Sequence, residues 1–583
     1  MSNFKLKLDT SIKNMKKIFY DPILFSALMF VMAILILFVV IPMWNILKES
    51  VSISENEQVD SRVITHVKYT LIHYKNVLQS SENYTIILNT LLLGTVTSVL
   101  STAIGFFFAY GMTYIKLPFK KFFNSIAILP IVSPPFVVAL SILLLLGRQG
   151  LITRGLLKIP RADIYGFRGL VIVQVLTFFP VAYLMLVGLL EKIDPSVEEA
   201  ARDLGASRWD VFKTISFPLM IPGLANAFLV IFIQVIADFS NPMVIGGNFS
   251  TAATEIYRLG IGNFNMGSAT ALSVILMVLS ISIFITQKYY ISKKSYVTVT
   301  GKASRAREKI SEKYITIPIF ILMMLITLCV LLTYIMIPLV SVVKLWNPSI
   351  FFDREVWSKT TIFSLDHYKY LWVRGIKPIK DTALLSIIAT PISGILAMVI
   401  AFMIVRKQFF GRLFIEFTTL LVIAIPGTII GLGYILTFNT PPLVLTGTGI
   451  ILIIAFVMRN MPIGVRSGIA ALQQIDPSIE EAATVLGANS QKVFTSITLP
   501  MIKPAFFSGL VYSFARSMTL VSTIIFLVSA NYNLLTSAIM SQIDEGRLGV
   551  ASAYCTFLIV IVFVVIAGMK AILKLMGINE ISE

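Results

Sequence analysis

An all-α, polytopic membrane fold, with about twelve transmembrane helices in two parallel six-helix repeats, is what this sequence predicts. Three observations predict it. The 583 residues are 56% hydrophobic and only 13% charged, with a mean hydropathy of +0.85, too apolar for a soluble chain of this size. Windows of about twenty mostly apolar residues recur, the length that a helix needs to cross a ~30 Å hydrocarbon core. One polar sentence occurs twice between such windows: Ile193-Asp-Pro-Ser-Val-Glu-Glu-Ala-Ala-Arg-Asp-Leu-Gly205 and, 282 positions later, Ile475-Asp-Pro-Ser-Ile-Glu-Glu-Ala-Ala-Thr-Val-Leu-Gly487.

The spans read near 23–43, 84–112, 123–146, 168–190, 220–240 and 267–288, and again near 316–340, 381–405, 413–437, 448–470, 503–528 and 549–573. An even number per half makes the halves parallel repeats: residues 1–290, a basic linker 291–315, and residues 316–583. Other pairs extend the repeat: His73-Tyr-Lys75 with His367-Tyr-Lys369, Ile41-Pro42 with Ile337-Pro338, and Pro134 with Pro426. Pro134-Pro135 and Pro426-Gly427 are candidate helix breaks within spans. The apolar run from Ile23 to Ile41 is long and lacks a small-residue cleavage site, which predicts a retained span.

The net charge of +18 is spread through loops beside spans, without interleaved aromatics. That suits positive-inside topology and anionic lipid, not nucleic acid. Lys5, Lys7, Lys13, Lys16 and Lys17 precede the first span, and Lys288, Lys293, Lys294, Lys302, Arg305, Arg307, Lys309 and Lys313 fill the linker. A cytoplasmic N-terminus follows, with a cytoplasmic C-terminus, and both repeated loops fall on that side. The basic loop with Arg148, Arg154, Lys158, Arg161 and Arg168 then lies outside, against the charge bias.

Each repeated loop, 191–218 and 471–500, reads as helix, turn, helix. Asp194 and Asp476 are N-caps ahead of a first-turn proline, with Glu198, Glu199, Glu480 and Glu481 near the positive helix end. Gly205 and Gly487 are left-handed stops, and Ser207 with Asp210 forms a capping box for a second short helix, where Asn489 is a weaker cap. The small pairs Ala200-Ala201 and Ala482-Ala483 admit close approach of another surface.

The pattern Glu-Ala-Ala-x3-Gly-x9-Ile-x-Leu-Pro resembles the cytoplasmic motif of ATP-binding-cassette importer permeases. It is matched at Glu199-Ala-Ala201, Gly205, Ile215 and Pro218, with Phe217 in place of leucine, and at Glu481-Ala-Ala483, Gly487, Ile497, Leu499 and Pro500. Asp238-Phe-Ser-Asn-Pro242, Gly246-Gly-Asn248, Ala470-Ala-Leu-Gln-Gln-Ile-Asp-Pro477 and Phe526-Leu-Val-Ser529 are similar to the ferric-iron branch of that family. The resemblance implies a bacterial inner-membrane subunit whose loops couple to two copies of a separate cytoplasmic ATPase, which uses the ATP. It also implies a separate extracytoplasmic substrate-binding protein and ferric iron as cargo. Related permeases for thiamine and aminophosphonates share the architecture, and an ion-gradient transporter is the alternative class.

No Gly-x4-Gly-Lys-Ser/Thr loop, catalytic triad or zinc motif occurs in the sequence, so neither an enzyme nor a resident cofactor or metal is expected. Cys329 and Cys555 each lie in a span and form no metal pair. His66, His73 and His367 fall in predicted external segments. Asp238, Arg459 and Arg516 are ionisable groups in or beside spans, hence candidate pathway residues or ion-pair partners. Glu255 and Tyr257 are read as an exposed external face.

Overall fold

The computed structural model describes residues 22–59, 62–291, 308–348, 352 and 362–575. The lysines expected before the first span, and Lys293, Lys294, Lys302, Arg305 and Arg307, lie outside the described residues.

The long helices fall where hydrophobic windows placed spans. In chain order they are α1 (Pro22–Ser50), α2 (Ser81–Tyr114), α3 (Lys120–Val132), α4 (Pro135–Leu146), α5 (Phe167–Leu190), α6 (Pro195–Asp203), α7 (Phe217–Ile236), α8 (Met266–Thr286), α9 (Lys313–Ser341), α10 (Ile376–Arg406), α11 (Arg412–Ala424), α12 (Gly427–Phe438), α13 (Gly449–Gln473), α14 (Pro477–Val485), α15 (Leu499–Thr519) and α16 (Leu548–Leu575). Ten helices, or up to twelve if bent pairs are joined, are long and apolar enough to cross a membrane among the described residues. A hairpin of β1 (Ser52–Val59) and β2 (Arg62–Tyr69), paired antiparallel with Ser52 opposite Tyr69, follows α1.

Proline dictates the breaks. Pro134 and Pro426 lack the N–H that would continue a helix and push the preceding residue into extended backbone. Ser133 and Ile425 are accordingly extended, separating α3 from α4 and α11 from α12. The second pair turns by 112°. The fifth and eleventh spans end at Ile236 and Thr519, short of the expected 240 and 528.

The chain divides into two compact units that cut across the sequence halves. One comprises residues 72–373 with 539–556. In it α2 packs along α5 and α7, and α9 lies against α2, α3 and α4. Ser141 Oγ donates to the Thr333 carbonyl at 2.6 Å, and Ser133 bonds Tyr334, so α9 braces the α3–α4 break. The other unit comprises residues 1–71, 374–538 and 557–583. Here α10, α13 and α15 pack together and α1 lies against α10, α11 and α12, with Asn45 Nδ2 donating to Thr437 Oγ1 at 3.0 Å. Each first span therefore packs with the helices of the opposite sequence half.

The duplicated histidines have a packing explanation. A β-carbon on Gly267, at the start of α8, would lie 2.1 Å from the His73 ring, and one on Gly549, at the start of α16, 2.3 Å from His367. Only glycine admits the ring there. A second repeated contact follows the same logic: Thr90 Oγ1 accepts from the Ala252 N–H at 2.8 Å, and Thr382 Oγ1 from the Leu535 N–H at 2.7 Å.

Gly267→Ala and Gly549→Ala should each destabilise the detergent-solubilised protein by about 1–3 kcal/mol, the usual cost of overpacking. Gly568→Ala, where a β-carbon meets nothing within 4 Å, should not lower the melting temperature. Thermal melts of the three variants check this.

Candidate functional site

The first repeated loop sits at the end of α2 and α5. Asp194 Oδ1 accepts from the Ser196 N–H at 3.0 Å and starts α6. Gly205 stops it at φ +92°, a conformation costly for any residue with a β-carbon. Ser207 and Asp210 form the expected capping box on the short helix Arg208–Val211. The second loop repeats the design: Asp476 Oδ1 accepts from Ser478 N–H at 2.9 Å, and Gly487 has φ +85°. Asn489, expected as a weaker cap, accepts from the Lys492 N–H at 2.8 Å.

Paired glutamates split into two roles that the sequence did not separate. Glu198 turns inward and is buried; its Oε1 accepts from Tyr114 Oη at 2.8 Å and Ser216 Oγ at 2.6 Å. Glu480 likewise accepts from Arg406 Nε and Thr498 Oγ1, each at 3.0 Å. These carboxylates tie the loop helices to the ends of α2 and α10, well upstream, and to the starts of α7 and α15, the spans that follow. Glu199 is half-buried and Glu481 exposed, so the second member of each pair is the one available to another surface. The reason is helical: neighbouring residues point ~100° apart.

The anchors differ in kind. Tyr114–Glu198 is a hydroxyl bond, whereas Arg406–Glu480 is an ion pair, with side chains only 10% and 12% exposed. Arg406 Nη2 also donates to the Ile475 carbonyl at 2.9 Å.

The sequence motif alone does not single out the exposed large apolar side chains of both loops, Leu204 at 89% and Leu486 at 88%, with Val485 at 86% and Trp209 at 67%. Ala200 and Ala482 are exposed, and Ala201 and Ala483 half-buried, beside them. A leucine presented before a left-handed glycine is an apolar knob on a polar loop. The signal was present in the duplicated Leu-Gly, but a C-cap accounts for the glycine alone. Pro218 and Pro500 lie in the first turns of α7 and α15, where a missing N–H costs nothing.

Around the first loop the described end of the linker forms a strap. Ile310 pairs with Ile115 in a parallel bridge, Lys309 bonds the Thr113 carbonyl, and ion pairs join Arg202 to Glu308 at 3.2 Å and Arg208 to Glu312 at 2.7 Å. Thr484 and Ser490 occupy the register of those arginines in the second loop, so this pairing cannot be repeated there.

The candidate pathway residues separate. Asp238 is buried and accepts from Gln174 Nε2 (2.9 Å), Asn241 Nδ2 (2.8 Å) and the Ser240 N–H (3.0 Å). Its carboxylate shapes the turn after α7. Arg459, on α13, donates through Nη1 to the carbonyls of Val422 (2.9 Å) and Ile425 (3.0 Å), the oxygens released by the α11–α12 break. Arg516 is exposed on α15. Glu255, expected on an exposed face, is instead 1% exposed and bonded to Arg258 at 2.7 Å. It faces its own helix turn because Arg258 lies one turn on. Among the described residues no group of His, Cys, Asp and Glu could hold a metal ion.

Comparisons with known proteins show the family. The family model "Binding-protein-dependent transport system inner membrane component" matches twice, over residues 101–296 and 391–577. The chain belongs to this family. A ferric transport system permease protein, FbpB, of Actinobacillus pleuropneumoniae is 39% identical over 493 residues, covering 82% of this chain and 70% of that one. A putative ferric transport system permease of Haemophilus influenzae is 39% identical over 471 residues, 78% and 72% respectively. The molybdenum transport permease ModB of Escherichia coli is 31% identical over 178 residues, 30% of this chain and 78% of that one. A crystal structure of a bacterial alginate ABC transporter with its periplasmic protein aligns at TM-score 0.40 and 18% identity, over 49% of this chain and 99% of that one. The chain is thus a fused, two-repeat permease subunit of an ABC importer, a multi-pass inner-membrane protein that works with a substrate-binding protein.

Two expectations concern the permease's loop anchors. Arg406→Ala leaves Glu480 nearly buried without its cation and should destabilise the second loop by about 2–3 kcal/mol; hydrogen exchange over residues 477–493 should rise by at least tenfold, while residues 195–211 stay protected. The Glu312 N–H and Arg208 hold the Glu312 carboxyl below its usual range. A depressed carboxylate stabilises the fold above its unfolded value, ~4.3, and that stability is lost as pH falls through the folded one. Exchange at residues 308–312 should therefore accelerate below about pH 4, and should not in Glu312→Gln.

Proposed function

We propose that the two loops are the handles by which two copies of a separate ATPase move this permease, and that its cargo is ferric iron. The handle reading rests above all on one observation: each loop holds a short helix rigidly through an inward glutamate, while exposing a leucine knob beside small residues. A lever with an apolar tip transmits a partner's motion to the spans it is tied to, because Glu198 joins its loop helix to α2 and α7, and Glu480 joins its own to α10 and α15. Closure of the ATPases on ATP biases the permease only through different affinities for its two states.

The orientation follows. Soluble ATPases act in the cytoplasm, so both loops are assigned to that side; six spans per repeat then assign both termini to it as well, and the β1–β2 hairpin to the face that meets the binding protein. Iron as cargo is supported by the names of the 39% identical relatives. Among the described residues no cluster of hard oxygen ligands is set for the bare ion, so selection for iron is assigned to the binding protein.

Leu204→Asp with Leu486→Asp places charge on both knobs without touching either anchor. The double variant should fold with an unchanged melting temperature, lose ATPase copurification from native membranes, and abolish iron-dependent uptake. Copurification at the wild-type level would refute the handle reading. Glu199→Arg with Glu481→Arg should weaken copurification in the same direction.

A further inference from the structure

Helix α15 has two unlike faces. Ile502, Ser513, Phe514, Ser517 and Met518 are buried, packed with α10 and α13, and Ser517 Oγ accepts from Asn460 Nδ2 at 2.7 Å. The other face carries Ser508, Tyr512 and Arg516 at i, i+4 and i+8, with Ser508 and Arg516 exposed and Tyr512 half-exposed. Residues at that spacing line one stripe.

Exposure inside a membrane protein has two meanings, distinguished by chemistry. Helix α10 of the same unit exposes Leu384, Ile387, Ile392 and Ile395, a face suited to acyl chains. A serine, a tyrosine and an arginine in line are not, since a guanidinium in hydrocarbon is expensive and faces water or a partner instead. Arg516 has no carboxylate partner or side-chain hydrogen bond among the described residues. Arg459, on the packed neighbour α13, feels the Arg516 charge, and its hydrogen-bond partners are two neutral carbonyls. Neither arginine makes an ion pair among the described residues. The Tyr434 hydroxyl, also within Arg459's field, is buried and unpartnered.

The charge is particular to this repeat. At the 282-residue offset, Arg516 corresponds to Gln234 and Arg459 to Thr177. The first repeat thus keeps polarity at the register of Arg516 without a cation. Two uncompensated positive charges repel a hydrated metal cation and attract oxygen-bearing anions, for which a guanidinium supplies paired donors.

We propose that the Ser508–Tyr512–Arg516 stripe is an oxyanion-binding surface of the translocation path, and that the cargo crosses bearing a phosphate or carboxylate group. This rests on the importer reading and sharpens it: iron would pass as a complex with such an anion, not as the bare ion. Arg516 is the ligand, and Arg459 supports it by its field while holding the α11–α12 break.

The test uses the purified full-length chain in nanodiscs at low ionic strength, with radiolabelled inorganic phosphate and radiolabelled citrate as separate probes in equilibrium dialysis. Wild type should bind at least one probe, and which one identifies the anion class. Arg516→Gln, which installs the first repeat's residue at an exposed site and keeps the fold, should weaken that binding about tenfold or more, and Arg516→Lys should restore it to within about threefold, as expected for a charge-assisted contact. Binding of neither probe, or equal binding by Arg516→Gln, overturns the proposal. The importer reading is tested separately by uptake in the Leu204→Asp, Leu486→Asp double variant, which leaves the stripe intact; loss of uptake there together with no probe binding would refute the oxyanion surface alone.

Discussion

A peptide carbonyl released inside a bilayer has no water to accept from, and this permease is organised around that constraint. Both breaks, at Pro134 and Pro426, are needed if a span is to turn within the membrane, and each frees backbone that something must satisfy. In one unit Arg459 reaches the carbonyls of Val422 and Ile425, a cation set at a helix C-terminus where the dipole favours it. In the other, no cation stands at the break among the hydrogen bonds described, and the hydroxyls of Ser133, Tyr334 and Ser141 hold α9 against it instead. The two solutions differ in charge, and that difference makes the second repeat electrostatically unlike the first despite common descent of the pattern.

The same economy governs the loops. A short helix of nine residues is marginal alone, so Pro195–Asp203 and Pro477–Val485 depend on caps and on the inward glutamate. Asp194, Asp476 and the left-handed glycines set the ends; Glu198 and Glu480 set the orientation. Once those are fixed, the remaining side chains, Leu204 and Leu486 chief among them, have no internal role and point away. A lever must be stiff where it joins the spans and adhesive where it meets its partner, and these two demands fall on adjacent residues of one motif.

Local features were the legible ones. The spans, the caps at Asp194, Ser207 and Asp476, the stops at Gly205 and Gly487, and the breaks at the prolines all follow from residues within one or two turns of each other. What sequence could not order was distance along the chain. Which glutamate of a pair faces in depends on Tyr114 and Arg406, more than seventy residues upstream; the structural task of Arg459 shows only once Val422 and Ile425 are known to lie beside it, and that of Asp238 only once Gln174 is. Glu255 was misplaced for a simpler reason: Arg258 three residues on can draw a carboxylate inward, which composition alone does not reveal. The strap at Glu308–Glu312 lies at the edge of a basic linker, where its two acids were hidden among lysines.

The crossing of α1 and α9 into units built from the other half's helices sets a schedule for biogenesis. Helix α1 leaves the ribosome well before α10, α11 and α12, against which it packs and which begin only at Ile376. At bacterial speeds of ~10 residues per second, the wait is roughly half a minute. Through that interval α1 lacks those partners, and its apolar surface at Ile23, Met29 and Phe30 suits it to lipid. A fused chain guarantees that the awaited partner arrives in the same membrane, in equal number and in a fixed order, which two separately synthesised subunits must achieve by diffusion.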